Sequence, residues 1–286
     1  MPFPKPAFPQ PVRERLHSLS MQIRSDDIQL YYKVMGEGFP VVLLHPFPVH
    51  SEFWTPLAQK LATRYQLVLP DLRAHGLSEV GAGPATMEKH AADLLRLLDA
   101  QQITRAVFVG VSIGGYILFE FWRRYRERVT ALVLSNTRAE PDTEQGRANR
   151  LKSIEPARLR GTGPFLDAQI PNLIGESTRR NRPDIVATAR GMMERLTVEG
   201  LAVLQQGMAE RPDSVPTLRE IKVETLIIAG EEDTLTPLAN AQLMQQNIPG
   251  SKLDVIPRAG HYAALESHEA FARVLRQFLD GIRLSA

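Results

Sequence analysis

A serine, an aspartate and a histidine far apart in the chain are the residues whose types and surroundings could do chemistry. Ser112 is the centre of Gly110-Val111-Ser112-Ile113-Gly114, a G-x-S-x-G pentapeptide. Alone that pattern is weak, because a serine in an ordinary turn usually bonds nearby backbone. Its flanks give it weight: "AVFVG" before it reads as a buried strand and "GYILFEFWRRY" after it as a helix. A sharp strand-to-helix turn lifts a hydroxyl out of a sheet and aims a helix N-terminus at the reacting group. It leaves no room for side chains two residues either side.

A serine hydroxyl is a poor nucleophile at neutral pH unless a base takes its proton, and the base needs an orienting acid. In "TLIIAGEEDTLTP" a strand ends in glycine and Asp233 follows in the loop, with Glu231 and Glu232 as rivals beside it. Residues outside the carboxyl ends of strands are where open α/β sheets gather their ligands. The shorter side chain, immediately before the "TLTP" turn, favours Asp233. In "KLDVIPRAGHYAALE" His261 follows the next strand and a glycine, which completes the chain order Ser, Asp, His. His17, His90 and His268 have no such context and read as structural.

The elements that must position these three are legible as apolar runs. "IQLYYKV" (28–34), "PVVLLH" (40–45), "YQLVLPD" (65–71), "AVFVG" (106–110), "ALVLSN" (131–136), "ETLIIAG" (224–230) and "KLDVIP" (252–257) read as strands, several continuous enough for a sheet covered on both faces. Met87, Ala91, Leu94, Leu95 and Leu98 recur at helical spacing, as do Phe271, Val274, Leu275, Phe278 and Leu279. Alternation of strand and helix predicts right-handed crossovers and a mainly parallel sheet. "MQIRSDDIQLYYKV" instead predicts a hairpin turning at Asp26 and Asp27. The alternation stops at residues 137–213, which carry helical patterns without a buried strand and read as an insertion between core segments 21–136 and 214–286. Met192, Met193 and Met208 within it could line a pocket, although core filling is the commoner use of methionine.

Composition excludes several classes. A net charge of +2 on 286 residues is too balanced for a nucleic-acid partner, and the runs "RRYRER" and "RRNR" read as solvated helix faces. There is no cysteine, so thiolate nucleophiles and cysteine metal sites are excluded together. His45 and His50 lack the carboxylate or cysteine spacing of a metal site, and no cofactor is expected. No apolar run approaches a membrane span. Residues 1–20 hold many prolines and no apolar signal-peptide segment, which predicts an extended arm and a cytoplasmic protein. Such an arm could lie across a neighbouring subunit.

With "GVSIGG", "GEEDTLTP", "AGHYAALE", "PDLRAHGLS" and "LLHPFPVHSEFW" in place, the chain resembles the α/β-hydrolase superfamily from about residue 21 to 280. The resemblance implies a mostly parallel central sheet flanked by helices, with residues 137–213 as a helical cap. It implies Ser112, Asp233 and His261 as the triad. It also implies an oxyanion hole from the amides of Ile113 and Phe47. Relatives usually have His-Gly where this chain has His45-Pro46, and a glycine where Val49 stands; Pro46 has no N–H, so the donor falls to Phe47. His45, Asp71 and His75 are expected to brace loops.

The expected activity is hydrolysis of small to medium carboxylic esters through an acyl-enzyme, with a small ester or lactone as the partner molecule. "LVLSNTRAE" and the insertion after it are similar to enol-lactonases, which makes lactone or enol-lactone hydrolysis the alternative. Carbon–carbon bond hydrolysis, perhydrolysis and a non-catalytic ligand receptor use the same pocket and rank lower.

Overall fold

The computed structural model describes residues 19–282. The proline-rich arm lies outside them except for Leu19 and Ser20. These belong to the first strand, because its antiparallel pairing extends back to Leu19 opposite Val34.

Eight strands form one sheet: β1 (Leu19–Ser25), β2 (Ile28–Met35), β3 (Phe39–Leu44), β4 (Tyr65–Pro70), β5 (Ala106–Val111), β6 (Val129–Ser135), β7 (Glu224–Gly230) and β8 (Lys252–Ile256). Their spatial order is β1-β2-β4-β3-β5-β6-β7-β8. The first two form the expected hairpin, with Asp26 at φ 53° in its turn, and β2 meets β4 antiparallel. Every later pairing is parallel. Burial follows position: β5, in the middle, is buried at all its residues, whereas β2 alternates buried and half-buried ones. That is the difference between a strand covered on two faces and one covered on one.

Helices α1 (Thr55–Leu61), α2 (Met87–Ala100) and α3 (Ile113–Tyr125) follow β3, β4 and β5. Thr86 caps α2 by accepting from the Lys89 amide. Between β6 and β7 the chain makes α4 (Glu144–Lys152), α5 (Ile154–Arg160), α6 (Gly163–Leu173), α7 (Glu176–Asn181), α8 (Pro183–Met193), α9 (Val198–Ala209) and α10 (Val215–Leu218), with no strand among them. Then come α11 (Leu238–Asn247), α12 (Ala263–Glu266) and α13 (His268–Gly281). α3 packs on β5 and β6, α11 on β7 and β8, and α1 on α13. No helix among the described residues is long and apolar enough to cross a membrane.

Two contacts fix the parts that the site depends on. Arg73, almost wholly buried, makes a two-pronged pair with Asp93 of α2 at 2.9 and 3.0 Å and reaches Asp27 of the hairpin turn at 2.6 Å. The loop after β4 is thereby tied to both neighbours. The helical insertion is docked through α9: the Ala85 amide donates to the Val203 carbonyl at 2.9 Å, and a Cβ on Gly207 would overlap the Ala85 carbonyl. We therefore expect Gly207→Ala to lower stability despite alanine's better helix propensity. Overpacking against backbone costs roughly 1–3 kcal/mol and the propensity returns about 1. Thermal unfolding should show a drop of a few degrees; an unchanged or raised Tm would mean that the insertion yields freely.

Candidate active site

Ser112 joins β5 directly to α3. Its backbone stands at φ 56° and ψ −114°, in a region that side-chain-bearing residues avoid. The turn is held by its neighbours. The Ser112 amide donates to the Ser135 carbonyl at 3.0 Å, and the Ser112 carbonyl accepts from the Thr137 hydroxyl at 2.8 Å. The flanking glycines are a steric requirement, since a Cβ on Gly110 would lie 2.6 Å from the Gly114 carbonyl carbon and one on Gly114 2.8 Å from the Leu44 carbonyl oxygen. Strain at one residue is thus imposed by a tightly packed crossing of strand and helix.

Asp233 and His261 are brought together from the loops after β7 and β8. His261 Nδ1 lies 2.8 Å from Asp233 Oδ2, with both side chains wholly buried. The same oxygen accepts from Asn136 Nδ2 at 2.8 Å and the Thr236 hydroxyl at 2.6 Å. Oδ1 accepts from the Leu235 and Thr236 amides, each at 2.9 Å. Burial pushes this carboxyl's pKa up, but the opposite imidazole and these hydrogen bonds more than offset it and hold the group at about 2. An ionised carboxylate only accepts, so Nδ1 carries a proton and donates to it. Nε2 is buried and has no partner among the described residues. No hydrogen bond joins it to Ser112 Oγ.

The loop after β3 carries Phe47. Its carbonyl accepts from the Tyr262 hydroxyl at 3.0 Å, which ties this loop to the residue beside His261. Among the described residues neither the Phe47 nor the Ile113 amide has an acceptor, so both are available to a bound oxygen. The neighbouring polar residues hold loops. His45 Nε2 accepts from the Leu72 amide at 2.9 Å, Asp71 accepts from the Ser51 and Leu77 amides at 2.8 Å, and His75 Nδ1 donates to the Arg73 carbonyl at 3.0 Å.

A cavity of about 90 Å³ opens at Ser112. Phe47, Tyr116, Leu173, Met208 and Leu235 form its apolar wall, and Arg138, Arg150, Gln169 and Gln205 its polar one. Of the three methionines singled out in the sequence, Met208 reaches this cavity, whereas Met192 and Met193 are buried in the core.

Four positioning residues had escaped sequence reasoning. Asn136, at φ 44°, clamps Asp233 and the Gly260 carbonyl; an asparagine directly after a strand is the one hint it leaves, since asparagine tolerates that conformation. Thr236 lies inside the quoted "TLTP" but acts through its fold. Tyr262 and Glu266 are read only in three dimensions: Glu266 gathers the Gly260, Tyr262 and Gly175 amides on its two oxygens.

The model of the alpha/beta hydrolase fold family matches residues 40–267. The chain is an alpha/beta hydrolase. This hydrolase is similar to a thermophilic esterase from Thermogutta terrifontis, solved with malate bound: 36% identity, TM-score 0.89, over 92% of this chain and 99% of that one. It is also similar to the enol-lactonase from Burkholderia xenovorans LB400, at 26% identity and TM-score 0.85 over 91% and 100% of the two chains. Among curated proteins, 3-oxoadipate enol-lactonase 2 of Acinetobacter baylyi is 26% identical over 87% of this chain and 92% of its own length.

Proposed function

We propose that this hydrolase cleaves short carboxylic esters through an acyl-serine on Ser112. The observation that carries the reading is the Asp233–His261 pair at 2.8 Å, whose outer nitrogen is orphaned and whose aspartate loop supplies Leu235 to the serine's cavity. His261 Nε2 takes the Ser112 proton as Oγ bonds to the substrate carbonyl carbon. The carbonyl electrons move to oxygen, where the Ile113 and Phe47 amides receive them, and a donor of that kind contributes about 3 kcal/mol to lowering the barrier. Collapse expels the alcohol, which leaves with the proton from His261. Water then repeats the sequence on the acyl carbon, and Ser112 recovers its proton. Asp233 keeps the imidazole in one tautomer and stabilises the imidazolium without itself taking the proton.

The cavity volume of about 90 Å³ supports short acyl groups. A second reading, lactone hydrolysis, is supported by similarity to two enol-lactonases and requires the same residues; the leaving alcohol then stays attached to the acyl group. The helical insertion serves as the cap over the cavity, to which it contributes Arg150, Gln169 and Gln205. Residues 137–213 are thus proposed as a separate unit from the core.

A fluorophosphonate reporter tests the proposal. It should label the protein with one equivalent at Ser112, read by mass spectrometry of the peptide, and abolish turnover of ethyl acetate and ethyl butyrate. Labelling elsewhere, or full activity after labelling of Ser112, would overturn the reading. Comparing these esters with a five-membered lactone ranks the two substrate classes.

A further inference from the structure

Arg138, Arg150 and Arg211 converge on one carboxylate. Arg138 Nη2 reaches Asp142 Oδ1 at 2.5 Å, while Arg150 Nε and Arg211 Nη1 reach Oδ2 at 2.5 and 2.8 Å. The Asp142 side chain is 2% exposed. Its burial opposes ionisation, but the guanidiniums of Arg211 and Arg150 outweigh that and hold the carboxyl at about 2. Asp142 is therefore one full negative charge facing three positive ones. Glu140, the next acid along the chain, is in no ion pair among the described residues and accepts from Asn240 instead.

The surplus positive charge is not spread evenly. Arg211 has structural employment: it stacks over the Tyr116 ring at 4.3 Å and donates to the Met208 and Glu140 carbonyls, while Arg150 Nη1 donates to Gln205 Oε1 at 3.2 Å on the cavity wall itself. Arg138 and Arg150 are the two that also line the cavity at Ser112. Arg138 Nε is buried without an acceptor, which is costly for a charged donor unless something else completes it. Guanidinium groups at the edge of a small, sheltered cavity are matched to planar anions with two oxygens.

We infer that the polar wall of the cavity is an anion site, in which Arg138 and Arg150 receive a second carboxylate carried by the substrate. The substrate class is then the half-ester or carboxylated lactone of a short dicarboxylic acid. This rests on the reading of Ser112 as nucleophile. It adds a specificity that the triad alone does not contain.

Monoethyl succinate and ethyl butyrate present the same acyl length with and without the second carboxylate. The wild-type protein should prefer the half-ester in kcat/KM, and in Arg138→Gln and Arg150→Gln the ratio of the two kcat/KM values should fall by about 30-fold, chiefly through KM for the half-ester. An unchanged ratio in both variants would overturn the inference. Should a variant fail to fold, calorimetry on the wild-type protein with succinate decides the matter without turnover. Binding of succinate that weakens with added salt, and no binding of succinamide, is the expected result; equal binding of both, or of neither, would sink it. A protein that binds succinate yet hydrolyses no ester and takes no label at Ser112 would reject the nucleophile while supporting the anion site.

Discussion

Ser112→Ala should lower kcat on short esters by about 10⁶, because the members of the triad we propose act as a unit and the loss of one forfeits most of what all three supply. The loss should come with an intact fold. Ser112 Oγ makes no hydrogen bond among the described residues, so its removal orphans no buried partner, and alanine tolerates the φ of 56° no worse than serine. The turn is held through backbone groups that the substitution keeps. Far-ultraviolet circular dichroism and Tm should therefore match the wild-type protein while turnover disappears. A residual rate within tenfold of wild type, in a preparation shown by mass spectrometry to be pure, would remove Ser112 from the chemistry.

Acid should unfold this protein above the pH at which Asp27, Asp142 and Asp233 titrate. His45, His75 and His90 are almost wholly buried. Burial, the leading cause for each, holds His45 at about 3 and the other two well below their ordinary value, and each is pushed further down by a histidine neighbour. In the unfolded chain all three take up protons below about pH 6.5. A depressed histidine contributes its full stability above that value and loses it as the pH falls toward the folded one. The slope is close to 1.4 kcal/mol per pH unit per group. At pH 5 His45 alone has withdrawn about 2 kcal/mol, and His75 and His90 act in the same direction.

Fluorescence of the buried Trp54 and Trp122 should report a cooperative transition that sets in below about pH 6.5 and is complete before Asp27, Asp142 and Asp233 titrate. His90 provides the control. Both its ring nitrogens are buried without partners, so His90→Leu removes one proton-binding site and two unsatisfied atoms at little cost in volume, and the midpoint should move to lower pH. A midpoint below pH 3, where Asp27, Asp142 and Asp233 titrate at about 2, would assign acid denaturation to the carboxylates instead.

The parts of this hydrolase that could be read in one dimension are those governed by short-range rules. Continuous β-branched runs located the strands, since a strand sealed on both faces tolerates little else. The glycines around Ser112 announced a crossing too close for side chains, and the strand ends before Asp233 and His261 marked one edge of the sheet. What stayed hidden depends on distant segments meeting. Asn136 reaches Asp233 across 97 residues and Tyr262 reaches Phe47 across 215. The arginines were visible only as scattered charge; that two of them line the serine's cavity, sharing an aspartate with a third, is decided by how the segment after β6, α4 and α9 come together. Strand β1 began earlier than its apolar pattern suggested, because backbone pairing continues past the last informative side chain.

The bond from the Tyr262 hydroxyl to the Phe47 carbonyl makes a short crosslink between two segments that would otherwise be adjustable separately. One carries the His261 imidazole, the other the Phe47 amide that we propose as an oxyanion donor. A displacement of either is transmitted to the other, so under the proposed mechanism proton abstraction and charge stabilisation rise or fall together. Re-engineering this enzyme for a bulkier acyl group by shifting the Phe47 loop would detune the base as well, and changes confined to the arginine wall offer the more independent handle.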